Sequence, residues 1–144
     1  MDQTTASQVG IRFHHMGLLT DAPAAAATAL TFMGYHVGDP IYDPLQDVHL
    51  RLAMGPSEGA TIELITPNSR NSALARLMTR RGDYMYHSCF VAKNVDAALF
   101  ALSGLGLHVF TVSPAKPAVL FNGKHVSFHS VEGLGLVEFI EDAD

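Results

Sequence analysis

The sequence has little of what marks several specialised classes of protein. It has a single cysteine, Cys89, in 144 residues, so no intrachain disulfide can form. A chain of this length buries roughly 68–70% of its unfolded surface and folds without such a staple. No apolar run follows a basic N-terminal start, and no run reaches the ~20 apolar residues of a membrane span. We therefore expect a soluble, cytoplasmic protein.

Basic residues are also scarce. Nine lysines and arginines stand against 14 aspartates and glutamates, which gives a formal net charge of −5. The basic residues are thinly spread, whereas nucleic-acid binding depends on clustered lysine and arginine. We therefore expect no nucleic-acid partner.

The main feature that is present is an internal repeat at a shift of 72 residues. The segment 13–37, FHHMGLLTDAPAAAATALTFMGYHV, aligns with 85–109, MYHSCFVAKNVDAALFALSGLGLHV. The alignment places His15 on His87 and keeps the alanines, the leucine and the glycine of the following helical stretch in register. The chain therefore consists of two similar halves.

Each half also carries one glutamate in an apolar strand. Glu63 lies 48 residues after His15 in TIELITP, and Glu138 lies 51 residues after His87 in GLVEFIE. Each half thus supplies one histidine and one glutamate at a similar spacing.

Hydrophobic periodicity and turn residues predict the same order of elements in both halves. A mobile polar tail over residues 1–10 precedes a single domain over 11–144. Strands are predicted over 11–19, 35–37, 48–54 and 61–66, then over 84–92, 107–112, 125–130 and 134–141, with helices over 23–33 and 95–103. The predicted fold class is α+β: two tandem βαβββ modules, about 11–68 and 84–141, joined by a helix over about 71–81. We expect the modules to be related by a pseudo-two-fold axis, with mixed sheets that curve around a central cleft.

Two histidines and two glutamates suit a divalent metal ion. A carboxylate among apolar residues is costly to bury unless it is paired, hydrogen-bonded or bound to a cation. Imidazole favours Zn, Ni, Co or Fe, and carboxylates extend the choice to Mn and Mg. The alternative is that Glu63 and Glu138 lie on solvated strand faces and that the histidines are satisfied core residues.

Four further polar residues lie on strand faces that we expect to line the cleft. They are His49, Arg51, His125 and His129. His49 is a candidate acid or base, Arg51 a candidate for binding a carboxylate or phosphate, and the two later histidines are candidates for binding substrate. The alternative for each is a plain solvated face.

The repeat with its histidines and glutamates resembles the vicinal oxygen chelate superfamily, which includes glyoxalase I, methylmalonyl-CoA epimerase, extradiol dioxygenases and bleomycin-resistance proteins. The resemblance covers about residues 11–141 and is carried by FHHMGLLT, TIELITP, YHSCFVAKNVDAAL and GLGLVEFIE. It implies that His15, Glu63, His87 and Glu138 are the four metal ligands, with Glu138 also catalytic. It further implies enolate chemistry on a substrate that binds the ion through its oxygens.

The chain departs from the epimerase pattern on the third strand of the first module. Epimerases carry a carboxylate base there, whereas this strand presents His49 and Arg51. We predict a metal-dependent isomerase, epimerase or lyase of a small carbonyl compound or thioester, with His49 as the base and a homodimer as the assembly. The alternatives are a non-catalytic protein that sequesters a small molecule, such as an antibiotic, and an oxygen-using iron enzyme. A second glutamate ligand suits redox iron less well.

Overall fold

The computed structural model describes residues 9–57 and 60–144. Within them the chain forms nine strands and three α-helices, which confirms the α+β class. The predicted tail over 1–10 falls almost entirely outside the described residues. In chain order the elements are β1 (Arg12–Leu19), α1 (Pro23–Phe32), β2 (His36–Val37), β3 (Ile41–Asp43), β4 (Val48–Met54), β5 (Ile62–Pro67), α2 (Ala73–Arg81), β6 (Tyr84–Ala92), α3 (Val95–Gly104), β7 (Val109–Pro117), a 3-10 turn (Val119–Phe121), β8 (His125–Val131) and β9 (Gly135–Glu141).

The chain divides into two compact units. The first unit is His15–Tyr86, and the second unit is His87–Asp144 together with the residues up to His14. The first unit therefore begins inside β1, and the second resumes inside β6. Among the helices in the described parts of the chain, none has the length and apolar character that a membrane span requires.

The first unit is a mixed sheet covered by α1. Its strand order is β2-β4-β5-β1, with β3 paired to the same strand, β4. β1 runs parallel to β5, whereas β4 is antiparallel to β5, β2 and β3. Pro23 opens the alanine-rich helix at a position where its missing N–H is not needed. The buried residues Ala53 and Leu64 contribute to the core of this unit.

The second unit repeats this plan with a core on each face of its sheet. Its strand order is β6-β9-β8-β7, with β6 parallel to β9 and β8 antiparallel to both its neighbours. One core cluster packs against α3 and contains Ala92, Val95, Ala98, Val131, Val137 and Phe139. The other lies on the opposite face and contains Cys89, Val91, Ala118, Val126 and Ile140.

Two strands differ from the sequence prediction. β3 lies between the strands predicted over 35–37 and 48–54, so the first module has one strand more than the predicted βαβββ order. Three residues are too few to show a hydrophobic period. β7 runs on to Pro117 rather than ending at 112, with irregular pairing along its length. It is the last strand in the order of its unit, where proline is tolerated because one side of the strand makes no ladder.

Candidate metal centre

The first unit places His15 and Glu63 on one face of its sheet. Gly17 pairs with Glu63 across the parallel strands β1 and β5, so the two residues point to the same side. His15 precedes Gly17 by two residues and therefore shares that side. The His15 Nε2 atom lies 3.8 Å from Glu63 Oε2, and the side chains are only 0% and 5% exposed. The strand register thus builds a buried imidazole–carboxylate pair.

The second unit builds the same pair from the repeated residues. Cys89 pairs with Glu138 across the parallel strands β6 and β9, and His87 shares the face of Cys89. The His87 Nε2 atom lies 3.4 Å from Glu138 Oε1, with side-chain exposures of 0% and 3%. The Phe128 ring meets the His87 ring edge-on at 5.3 Å between centroids. The Phe128 ring therefore packs against this imidazole.

The burial of both glutamates tests the alternative that they lie on solvated strand faces. Glu63 is 4% exposed and Glu138 is 2% exposed, so the alternative of solvated strand faces is wrong. An ionised carboxylate at such a position must be compensated by a cation or by hydrogen bonds.

The chemistry of each pair fits a divalent ion. Each unit presents one imidazole nitrogen and one carboxylate oxygen, the donors that zinc, nickel and cobalt accept. Two ligands held at 2.0–2.2 Å from one ion, at bond angles between square and tetrahedral, lie about 3 to 3.5 Å apart. The separations of 3.4 and 3.8 Å are near that range.

Asp43 is a further carboxylate on the Glu63 face, which the sequence prediction missed. It pairs with Val48, and Leu52 further along β4 pairs with Glu63. Because Val48 and Leu52 are four residues apart on one strand, all of these side chains point to the same side. Asp43 is fully buried. The face therefore carries a second acid within the first unit.

Hydrogen bonds fix the Asp43 carboxylate. Its Oδ1 atom accepts bonds from the backbone N–H groups of Leu45 (3.0 Å) and Gln46 (3.3 Å), and its Oδ2 atom accepts one from the Gln46 side chain (3.1 Å). The sequence Asp43-Pro44 is a turn signal that would have predicted these bonds. It would not have predicted the face, because β3 was not recognised.

His49 and Arg51 lie on the other face of the first sheet. Leu52 pairs with Glu63, so Leu50 and Leu52 share the face of Glu63, which we call the ligand face. His49 and Arg51 alternate with these leucines and therefore lie on the other face. The expectation that these two polar residues share the face of the ligands is therefore wrong. On β4 the apolar residues, not the polar ones, lie on the same side as Glu63.

The contacts of these two residues are local. His49 Nε2 lies 3.0 Å from Asn68 Oδ1, and its ring is tilted against Tyr42 at 5.1 Å. Arg51 donates from Nε to the Gly38 carbonyl oxygen at 2.9 Å. These bonds tie β4 to adjacent segments of the same unit.

His125 and His129 also lie opposite their expected position. Phe128 pairs with Glu138 and is on the ligand face, whereas His129 pairs with Val137 on the side of α3. His125 is four residues before His129 and shares its side. The expected placement of both histidines beside the ligands is wrong for the same reason of register.

The ligand face of the second unit also contains a cationic recess, which we define by Arg12, Lys124 and Asp142. It has a volume of about 210 Å³, and Ile140, which follows Glu138 by two residues, lies in its wall. Lys124 Nζ donates to Asp142 Oδ2 at 2.7 Å, and Arg12 Nη2 lies 4.0 Å from the same oxygen. The bond from Lys124 lowers the pKa of Asp142. Two cations therefore meet one carboxylate, which leaves the recess with an excess of positive charge.

The structure has two similar modules, and each contains a buried histidine and a buried glutamate. A comparison with protein families identifies the class of protein that has this arrangement. The model of the Glyoxalase/Bleomycin resistance protein/Dioxygenase superfamily matches residues 14–128. The chain belongs to this superfamily. No curated protein matches it significantly.

Solved structures with the same fold include enzymes. A methylmalonyl-CoA epimerase from Mycobacterium tuberculosis is 20% identical, with a TM-score of 0.71 over 92% of this chain and 88% of that one. A hypothetical protein from Bacillus halodurans is 19% identical, with a TM-score of 0.72 over 93% and 96%. A methylmalonyl-CoA epimerase in complex with methylmalonyl-CoA and ammonium is 20% identical, with a TM-score of 0.68 over 92% and 94%. At such identity the likeness shows a shared fold.

Replacement of either glutamate by glutamine tests the two pairs. We expect Glu63→Gln and Glu138→Gln each to weaken Zn²⁺ or Ni²⁺ binding by on the order of 100-fold or more, because each removes an anionic ligand. Isothermal titration of metal-stripped protein measures the affinity. Glu132→Gln, at an exposed carboxylate that accepts a bond from the His108 N–H, is the matched control and should keep it. Wild-type affinity in both ligand variants would contradict the assignment.

Proposed function

We propose that the protein is a metal-dependent isomerase, epimerase or lyase that moves a proton on the carbon next to a substrate carbonyl. The observation that carries the proposal is the pair of buried histidine–glutamate contacts, built twice by the same strand register in a member of this superfamily. A small carbonyl compound or a thioester is the substrate class.

In this proposal one divalent ion is held by all four residues: His15, Glu63, His87 and Glu138. Two carboxylates would neutralise the charge of the ion, and two neutral imidazoles would complete a set that suits Zn, Ni, Co or Mn, with Mg less favoured by the histidines. When bound, the ion polarises the substrate carbonyl and stabilises the negative charge that develops on its oxygen. Glu138, predicted to be catalytic as well, acts here by holding the ion.

Asp43 takes the place of His49 as the proposed base. It lies on the Glu63 face, whereas His49 lies on the other. Its three hydrogen bonds fix the carboxylate in one orientation. In this proposal the acid comes from β3 rather than from β4.

The cationic recess is the proposed site for an anionic part of the substrate. It adjoins Ile140 on the ligand face of the second unit and is lined by Lys124 and Arg12. Arg51, the residue predicted for this task, lies on the opposite face of its own sheet and bonds to Gly38. Since one solved neighbour holds methylmalonyl-CoA, we propose a CoA thioester as the first substrate to test.

Exchange of the α-proton in heavy water tests the proposed base. Asp43→Asn retains an oxygen that accepts the turn bonds but removes the base, so we expect exchange on methylmalonyl-CoA to fall by about 10²- to 10⁴-fold with metal binding unchanged. Proton NMR follows the exchange. Asp47→Asn, at an exposed acid that bonds Tyr42 and Asn68, is the matched control.

The outcomes of this experiment separate the classes of function. Exchange by the unaltered protein that falls only in Asp43→Asn supports the proposal. Equal exchange in both variants would exclude Asp43 as the base. Tight ligand binding without any exchange, with or without metal, would instead support sequestration of a small molecule.

Lys124→Ala tests the recess independently of the chemistry. Loss of one of its two cations should raise KM for an anionic thioester several-fold and leave kcat nearly unchanged, because the contact is uniform along the reaction. The effect should shrink at high salt, which screens exposed charges. Lys116→Ala, at an exposed lysine on β7, should leave KM unchanged. An unaltered KM in Lys124→Ala would exclude the recess.

A further inference from the structure

A second cavity lies in the second unit, on the face of its sheet away from Glu138. It has a volume of about 300 Å³ and opens between α3 and the strands β7 and β8. Val95 and Leu99 of α3 form an apolar wall, and Ser127 and His129 of β8 form a polar part of the lining. We call this space the α3 cavity. The function proposed above makes no use of it.

The α3 cavity contains a chain of hydrogen bonds centred on a histidine. His129 Nε2 lies 2.8 Å from Ser127 Oγ, and His129 Nδ1 lies 3.0 Å from Thr111 Oγ1. Both ring nitrogens are therefore engaged. His129 is 2% exposed and Ser127 is 5% exposed, whereas Thr111, the last member of this series of hydrogen bonds, is exposed to solvent.

The first module shows that the fold does not require a polar residue at the position of His129. Leu52 pairs with Glu63 in the first unit, and Phe128 pairs with Glu138 in the second. The next residue in each strand is Ala53 in one case and His129 in the other, and both are buried. The first module fills the position with a methyl group, whereas the second buries an imidazole that needs two hydroxyl partners.

We propose that Ser127 is a nucleophile for acyl transfer from a small ester, with His129 as its general base and Thr111 as the residue that positions the imidazole. The three groups have three features of an activated serine: a bond from nucleophile to base, a bond from base to a third group, and an adjacent cavity. The proposal does not depend on the metal or on the reaction proposed for it.

The chemistry balances without any further reactant except water. In the neutral tautomer with the proton on Nδ1, that N–H donates to Thr111 Oγ1 and Nε2 accepts the Ser127 hydroxyl proton. Ser127 Oγ then bonds to the carbonyl carbon, the ester C–O bond breaks, and the proton on Nε2 passes to the leaving alcohol. Water reverses these steps on the acyl-serine and releases the acid, which restores Ser127.

The surroundings of His129 support its role as a base. Burial lowers the pKa of His129, so the imidazole is neutral near pH 7 and able to accept a proton. Asp96, at the start of α3, acts in the opposite direction and stabilises the imidazolium that forms during the reaction. Asp96 and Glu141 also line the α3 cavity, so they disfavour anionic esters. The substrate class is therefore a short, uncharged ester.

Acetylation by p-nitrophenyl acetate tests the proposal on the full-length, metal-stripped protein. We expect a burst of p-nitrophenolate and a single acetyl group that peptide mass spectrometry locates on Ser127. Ser127→Ala should abolish that adduct. His129→Gln, which retains a hydrogen-bonding side chain, should slow it by about 10²- to 10⁴-fold. Ser130→Ala, on the same strand and the opposite face, is the matched control and should acetylate normally.

A positioning role for Thr111 is tested by comparing a variant that loses the hydroxyl group with one that keeps it. Thr111→Val should slow acetylation, and Thr111→Ser should restore it, because only the hydroxyl is needed. The protein is metal-stripped throughout, so failure of the metal proposal does not affect this test. Absence of an adduct on Ser127 in the unaltered protein, acetylation only at lysines or at Cys89, or an unchanged rate in His129→Gln would overturn the proposal.

Discussion

The structure depends on one constraint: a carboxylate that the strand register buries beside an imidazole must be compensated by a cation or by hydrogen bonds. Parallel pairing of β1 with β5, and of β6 with β9, fixes which residues share a face. The histidine and the glutamate of each unit therefore lie side by side on the same face of the sheet. Both glutamates are almost fully buried. A divalent ion would satisfy this constraint with the donor types that are present, and the proposed enzyme chemistry would follow from the charge of that ion.

The two units keep this constraint and differ elsewhere. Each unit has its own histidine–glutamate pair. They differ at the residue that follows the strand partner of the glutamate: Ala53 follows Leu52 in the first unit, and His129 follows Phe128 in the second. Successive residues of a strand point to opposite sides of the sheet. The residues on the helix-covered face can therefore differ between the two modules while those on the ligand face stay the same. The second unit thus carries a separate group of polar residues on each of the two faces of one sheet.

The sequence was sufficient for the elements with strong periodicity. The strands β4 and β6 have the predicted bounds, and the histidine–glutamate repeat was recognised because residue type and spacing recur together. The face of β4 was assigned wrongly, since alternation reveals two faces but only pairing with β5 reveals which one holds Glu63. His125 and His129 were placed wrongly for the same reason. Asp43 was missed because its strand has only three residues, too few for a period to appear.

Anomalous X-ray diffraction from crystals loaded with Ni²⁺ or Zn²⁺ tests the central claim most directly. The account predicts one strong anomalous peak that lies about 2.0–2.2 Å from a ligand atom of each of His15, Glu63, His87 and Glu138. A peak bound to one pair alone, two separate peaks at the two pairs, or no peak near either glutamate would contradict it.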